Sequence, residues 1–223
     1  MPVKKGTGST RDFSYQILKT KILNLELKPG TKISEKEIAD ELSVSRTPVR
    51  EAFMMLAQED LLDVIPQIGT IVSKINLEYV EEGRFIREKI EKEIVALACE
   101  LFADEYKNKL EKNIALQELC AKHNNHHELF ELDEEFHQLI FKGCRKERTW
   151  RMLELLNSHF NRLRLLRLTS NSNWEIIIYQ HKKVFQFITE SKKKEAMEIM
   201  EQHLRLVVIE QNDLKVKYPD YFI

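Results

Sequence analysis

The chain has 223 residues, of which 43% are hydrophobic and 32% are charged, and this composition is typical of a folded protein rather than a disordered one. Its 35 basic and 36 acidic residues leave a formal net charge of -1, which excludes a polycation that binds nucleic acid by bulk charge. Any contact with nucleic acid must therefore depend on a few locally placed charges. Three cysteines without a C-x-x-C pair, no apolar run of about 18 residues and no secretory signal indicate a cytosolic protein.

The distribution of prolines divides the chain into two parts. Pro29, Pro48 and Pro66 all precede residue 70, whereas no proline occurs from residue 75 to residue 217. Because proline interrupts helices and marks turns, we expect a small, turn-rich domain at residues 1–75 and a helical domain at residues 76–223.

The first domain has the element order of a winged helix-turn-helix. Apolar spacing predicts helices over residues 12–25, 34–42 and 45–58. Ser34 and Glu37 form a capping-box pattern at the start of the second helix, and only residues 43–44 separate it from the third, which requires a tight turn. Two β-prone runs follow, at residues 61–65 and 70–73, around a hairpin loop. In this architecture the helix after the tight turn enters the major groove of DNA.

The segment SVSRTPVR, which ends at Arg50, contains two arginines and no acidic residue. Arg46 and Arg50 lie four positions apart and therefore share one helix face. Arginine suits guanine O6 and N7, and the hydroxyls of Ser45 and Thr47 beside the free N–H groups of a helix start suit phosphate. The alternative is that both arginines are ordinary solvated residues. A basic arm precedes the first helix and contains Lys4, Lys5 and Arg11.

The second domain contains neither a glycine-rich phosphate loop nor a G-x-S-x-G motif. Six helices are predicted, over residues 76–103, 105–123, 126–142, 146–169, 173–190 and 192–216. Helices of this number and length form a bundle with an internal space rather than a sheet. The predicted fold class is therefore mainly α, with an N-terminal winged helix-turn-helix domain and a C-terminal all-helical bundle.

Polar residues interrupt the apolar stripes of three of these helices. Asp133 lies in the stripe of its helix, and His137 follows one turn later on the same side. His181 and His203 lie in the stripes of the last two helices. A divalent metal ion would satisfy one buried carboxylate and three imidazoles at once, whereas the alternative is a set of hydrogen-bonded core residues. His159 also borders an apolar stripe, so periodicity does not choose among these five residues.

Two arginines are also predicted to face the interior of the helical domain. Arg87 extends the apolar stripe of the first long helix by one step, and Arg164 lies on a mixed face. An inward arginine needs an anionic partner. For Arg87 this partner is either an internal acid such as Glu91, one turn further on, or the carboxylate or phosphate of a bound ligand.

The run from Leu42 to Leu56 reads L-x-V-S-R-T-P-V-R-E-A-x-x-x-L. With the residues around it, this run resembles the DNA-binding domain of GntR-type bacterial transcription regulators. The resemblance implies that Lys36, Arg46, Thr47 and Arg50 contact DNA. It also implies that Gly69 is the tip of a wing that reaches the minor groove.

The inward-facing Asp and His residues of the second domain occur in the same order along the chain as in members of that family. Asp133-x-x-x-His137 lies within LDEEFHQLI, His181 lies in the next-to-last helix and His203 lies in EQHL. The domain resembles the all-helical FCD ligand-binding domain of the FadR subfamily. The resemblance implies that these four residues bind a divalent metal ion, namely Zn, Ni, Mn or Fe, and it excludes His159. It also matches Arg87, in FIREKIE, to the arginine of an effector pocket.

The two resemblances together imply a homodimeric regulator on a palindromic operator, with a small carboxylate effector that relieves repression. The alternative is a metal-dependent hydrolase or lyase that uses the Asp/His site to activate water. No separate general base is evident for such an enzyme, because Glu134 and Glu135 are expected to point away from the site. A non-specific architectural DNA protein conflicts with the net charge.

Overall fold

Segments from both ends of the chain build the first of two structural units. The computed structural model describes residues 9–123, 125–170, 174–209 and 211–223, so Lys4 and Lys5 of the expected basic arm lie outside it. The first unit extends to Leu77 and includes Lys217–Ile223, and the second contains Glu78–Val216. We expected residues 217–223 in the helical domain. They differ from that expectation because their backbone pairs with residue 75.

The helices of the first unit are α1 (Thr10–Leu23), α2 (Glu35–Leu42) and α3 (Arg46–Gln58). The side chain of Ser34 accepts from the N–H of Glu37 at 3.1 Å, which confirms one half of the predicted capping box of α2. The return bond from the Ser34 N–H to the Glu37 side chain is not formed among the described residues. Ser43 has a φ of 55° and closes the tight turn between α2 and α3. The apolar faces of α1 and α3 meet in a core that includes Leu18, Ile22, Val49, Phe53 and Leu56.

A three-stranded antiparallel sheet forms the wing. Its strands are β1 (Lys32–Ile33), β2 (Leu62–Ile65) and β3 (Gly69–Val72), in the order β1-β3-β2. β2 and β3 agree with the predicted runs to within one residue. β1 was not predicted, because two residues are too few for an alternating pattern. Gln67 and Gly69, with φ values of 65° and 116°, turn the chain between β2 and β3.

The chain returns to the first unit near its end. After a 3₁₀ turn at Pro219–Tyr221, Phe222 forms a parallel bridge with Ile75. The N–H of Ile75 donates to the carbonyl of Tyr221 at 2.7 Å, and the N–H of Ile223 donates to the carbonyl of Ile75 at 3.2 Å. Ile75 and Phe222 are both buried. The segment after the wing is thus held by residues from the other end of the chain.

The second unit is the predicted all-helical bundle. Its helices are α4 (Leu77–Ala98), α5 (Asp104–Lys122), α6 (His126–Gly143), α7 (Glu147–Leu156), α8 (Ser158–Ser170), α9 (Trp174–Thr189), α10 (Lys193–Ile209) and α11 (Gln211–Lys217). Their apolar faces enclose a core that includes Ile94, Leu110, Phe136, Trp150, Val184 and Met200. Within the described ranges, no helix has the length and apolar character needed to cross a membrane.

The predicted helix over residues 146–169 is wrong in one respect, because it is divided in two. α7 ends at Leu156, and Asn157 separates it from α8 without a proline or glycine. Residues 158–168 of α8 are all buried, so this helix has no polar face that periodicity could detect. α8 therefore carries Arg164 into the interior of the bundle.

Candidate functional site

The first part of the candidate site is the exposed start of α3. The buried residues Val49 and Phe53 fix one face of α3 against the core. On the opposite side Arg46, Thr47 and Arg50 are exposed. The hydroxyl of Ser45, at the N-cap position, makes no capping hydrogen bond, contrary to the predicted cap. The start of α3 thus presents a hydroxyl and N–H groups beside two arginines, as an anion-binding helix start does.

An ion pair orients one of the two arginines. The Nε of Arg50 donates to Glu35 of α2, at 3.1 and 3.2 Å from the two carboxylate oxygens. Hydrogen bonding to Glu35 raises the pKa of Arg50, with the charge of Glu35 adding to the effect. Lys36, the next residue on α2, is exposed, and Gly69 lies at the start of β3. The predicted DNA contacts thus lie on α2, α3 and the wing of one unit.

The second part of the candidate site is a buried cluster in the helical unit. α6 contributes Asp133 and His137, α9 contributes His181 and α10 contributes His203. All four are buried, and one potential ligand atom from each lies within 4.8 Å of the others. His159 lies elsewhere: its Nδ1 is 3.0 Å from Arg162, and its ring meets the edge of Tyr79.

The outer nitrogen of each imidazole in the cluster faces an oxygen acceptor. Nδ1 of His137 contacts the carboxylate of Glu91, Nδ1 of His181 lies 2.8 Å from Oε1 of Gln117, and Nδ1 of His203 lies 3.2 Å from Oε1 of Gln180. An acceptor at Nδ1 places the proton there, and the lone pair is then on Nε2.

The Nε2 atoms of the three imidazoles converge. Nε2 of His137 is 3.1 Å from Nε2 of His203, and Nε2 of His181 is 3.5 Å from a carboxylate oxygen of Asp133. Burial, followed by the nearby imidazole and arginine charges, lowers the pKa of His181 and His203 well below its usual range. Both rings are therefore neutral. Among the described residues, Nε2 of His181 has no hydrogen-bond partner.

Arg87 is held by acids from two helices. Its guanidinium is fully buried, donates to Glu91, and reaches Oε1 of Glu134 at 3.0 Å. Burial alone would lower the pKa of Arg87, but Glu134 and Glu91 raise it above the ordinary value. Burial would likewise raise the pKa of Glu91, but Arg87 and His137 lower it to about 2. Glu91 is thus an ionised link between Arg87 and the histidine cluster.

The orientation of Glu134 corrects the prediction. Glu134 was expected to point away from the site, yet its carboxylate accepts hydrogen bonds from Arg87, Arg164 and Asn161. Its side chain reaches inward because it is long enough to bridge α6, α4 and α8. Glu135 accepts from Asn113 instead. Because Arg87, Arg164 and Asn161 already occupy its carboxylate oxygens, Glu134 is poorly placed to accept a proton from a water molecule.

Arg164 joins the cluster to a small cavity. Its guanidinium donates to Asp133 as well as to Glu134. The cavity, of about 20 Å³, lies beside Asp133. Its lining includes Asp133, Phe160, Arg164, Ile177, His203 and Val207. This volume corresponds to about one water molecule in the conformation described.

Sequence reasoning missed the acceptors around the histidines. Gln117 and Gln180 carry no charge and interrupt no motif, so no sequence signal distinguishes them. Glu91 had such a signal, because it lies one turn from Arg87, but its contact with His137 depends on how α4 packs on α6. The residues of the cluster could therefore be predicted from the sequence, but the residues that orient their imidazole rings could not.

Two family descriptions match the chain in the order of its two units. Residues 10–72 match the bacterial regulatory proteins of the gntR family, and residues 84–206 match the FCD domain. The chain belongs to the GntR family. Its FCD domain agrees with the FadR subfamily, and the GntR-family fold accounts for both the exposed start of α3 and the helical bundle.

Relatives of known name agree with this membership. The HTH-type transcriptional repressor RspR of Escherichia coli (strain K12) is 31% identical over 208 residues, which is 93% of this chain and 91% of that protein. An uncharacterized HTH-type transcriptional regulator in an unstable DNA locus of Streptomyces ambofaciens is 34% identical over 223 residues, or 100% of this chain and 93% of that protein. This GntR-family chain is a DNA-binding transcription regulator with an FCD effector-binding domain.

A solved structure supports the fold. The E. coli protein McbR/YncC superposes with a TM-score of 0.79 at 21% identity, covering 92% of this chain and 100% of that one. At this identity the likeness concerns the fold alone. The fold of a winged unit followed by a helical unit is thus common to both proteins.

Proposed function

We propose that the chain is a metal-containing repressor that a small carboxylate effector releases from its operator. The E. coli relative at 31% identity is named a repressor, which supports repression rather than activation. Two protomers related by a two-fold axis would present two α3 helices to a palindromic operator. The FCD unit would hold the metal and the effector, and the winged unit would bind DNA.

The proposed DNA contacts divide into two kinds. Arg46 and Arg50 would read base edges in the major groove, with Lys36 beside them on α2. Ser45 and Thr47 would bind phosphate at the start of α3, and Gly69 would bring the wing backbone close to the minor groove. Arg50 would exchange its exposed ion pair with Glu35 for a contact with DNA.

The convergence of Nε2 lone pairs is the observation that carries the metal proposal. With Nδ1 of each ring directed at an oxygen acceptor, the Nε2 atoms of His137 and His203 lie 3.1 Å apart. A cation bound between them would take both nitrogen atoms as ligands. Ligand atoms bound to one ion at about 2.1 Å lie about 3–4 Å apart, close to the spacing of the cluster. Imidazole and carboxylate ligands suit Zn, Ni, Mn or Fe.

Side chains beside the cluster support a carboxylate effector. Arg87 and Arg164 already bind one carboxylate, that of Glu134, and the same two donors suit a ligand carboxylate. When bound, a divalent ion supplies positive charge and further coordination positions for ligand oxygens. Because the cavity is small, an effector must displace side chains of α8 and α10. This displacement can change the fraction of protein molecules whose conformation fits the operator.

Alanine at position 46 or 50 tests the DNA-binding proposal. Arg46→Ala and Arg50→Ala are each expected to weaken binding to the operator by about 1–3 kcal/mol, because each removes a donor to a base edge. The operator is first selected from random double-stranded DNA by the full-length wild-type protein. Equilibrium binding of each variant to that sequence then gives the change in Kd.

The control for this measurement is Arg148→Ala. Arg148 is exposed on α7 in the other unit, so its removal changes the net charge by the same amount without touching α3. Operator affinities of both α3 variants equal to that of Arg148→Ala would refute the recognition-helix assignment.

A further inference from the structure

The hairpin that forms the wing carries no positive charge. Residues 61–73 include neither lysine nor arginine, and the charged residue among them is Asp63. Three residues near the wing turn are exposed and apolar, namely Val64, Ile65 and Ile68. A wing that approaches DNA passes between two rows of phosphates, so a hairpin of this composition lacks the cation that such an approach requires.

The short strand β1 brings a lysine to this hairpin. Lys32 pairs with Ile71 and Ile33 pairs with Thr70 in the β1–β3 ladder. Opposite residues of an antiparallel pair share a face, so Lys32 lies on the outer face of the sheet with Ile71. The charge that the hairpin lacks is thus supplied by a strand from an earlier part of the chain.

The lysine side chain lies across the wing glycine. A Cβ atom placed on Gly69 would lie 3.1 Å from Cε and 3.8 Å from Nζ of Lys32. Gly69 also has a φ of 116°, which other residues rarely adopt. Glycine at this position therefore allows the positive φ of the turn, and its lack of a side chain leaves room for the Lys32 side chain to reach towards the tip of the wing.

Lys32 is available for an external anion. It is exposed, and it makes no hydrogen bond or ion pair with the residues that the structure describes. Two other lysines of the same unit are occupied, because Lys19 binds Glu59 and Lys21 binds Glu41. Asp63 lies on the same face, but β3 separates its strand from β1, at about 10 Å.

We propose that Lys32 is the phosphate contact of the wing, a role that rests on the proposed binding of operator DNA. The ammonium group would neutralise one backbone phosphate per protomer as Gly69 approaches the minor groove. Lysine suits this role as a compact point charge, and a phosphate carries no base identity. Lys32 therefore contributes affinity without sequence preference.

The salt dependence of binding tests this role. Lys32→Gln is expected to reduce the slope of log K against log salt by about 0.9 for each protomer bound, which corresponds to about eightfold weaker binding per contact at 0.1 M salt. The affinity ratio between the selected operator and a scrambled duplex should stay at the wild-type value. Lys32→Arg should retain the wild-type slope, because it keeps the charge.

Lys112→Gln is the matched control. Lys112 is an exposed lysine on α5 of the helical unit, and its replacement should leave the slope unchanged. A wild-type slope for Lys32→Gln overturns the proposed contact, and so does a change in the operator-to-scrambled ratio, since that would mean base reading. A wild-type protein that selects no DNA sequence overturns the proposed function as well, which separates the two failures.

Discussion

Replacing His181 with alanine is expected to abolish binding of the proposed metal ion. His181 is fully buried, and its Nε2 faces Asp133 without a hydrogen-bond partner among the described residues. Loss of a group that only orients a ligand costs about 10–100-fold in metal affinity, so loss of a ligand should cost more than about 100-fold. Elemental analysis of dialysed protein and competition with a chelator measure the change.

Two further histidines serve as controls for this experiment. His127 is exposed near the start of α6, and His159 is buried outside the cluster. Alanine at either position should leave the metal content unchanged, and the His159 variant also controls for the loss of a buried imidazole. Circular dichroism establishes that each variant is folded. Full metal content in folded His181→Ala would exclude His181 as a ligand.

Replacing Arg87 with alanine should cost the helical unit about 3–5 kcal/mol of unfolding free energy. The change leaves Glu91 buried without its guanidinium partner and removes one of the two arginines that bind Glu134. Both tryptophans of the chain, Trp150 and Trp174, lie in the helical unit, so denaturation followed by tryptophan fluorescence reports on this unit alone. The midpoint should move to lower denaturant concentration with little change in slope.

A second variant separates the loss of stability caused by an unpaired charge from the loss caused by missing side-chain packing. Arg87→Met combined with Glu91→Gln removes both charges while keeping most of the volume, and it should recover most of the lost stability. Arg205→Ala is the control, because Arg205 pairs with Glu88 and Glu201 but is half-exposed, and ion pairs of exposed side chains contribute little to stability. Equal losses for Arg87→Ala and Arg205→Ala would contradict the expectation.

The sequence predicts those parts of the fold in which spacing alone determines the outcome. The run from Leu42 to Leu56 fixes a turn and a helix start within one motif, and Asp133 with His137 lie one helical turn apart on a single element. Each of the four cluster residues was a candidate because it interrupted an apolar stripe, but His159 met the same criterion and was excluded only by the resemblance to the FCD domain. Periodicity therefore identifies residues that face the interior, but it does not determine which of them meet there.

Other features depend on packing between elements and could not be predicted. α8 is buried on all sides, so its break from α7 at Asn157 has no polar face to mark it. The direction of Glu134 depends on the arginines that α4 and α8 present to α6. β1 exists because β3 lies beside it, and nothing within its two residues specifies a strand.

The pairing of Ile75 with Phe222 has a consequence for synthesis of the chain. Translation produces α1 to β3 first, but the parallel bridge after the wing cannot form until residue 222 has left the ribosome. All residues of the helical unit are synthesised in the interval, since they lie between the two partners. The winged unit is therefore the first to leave the ribosome, and its last backbone pairing forms only after the helical unit has been synthesised. A fragment that ends at Leu77 would leave the apolar side chain of Ile75 without its cover.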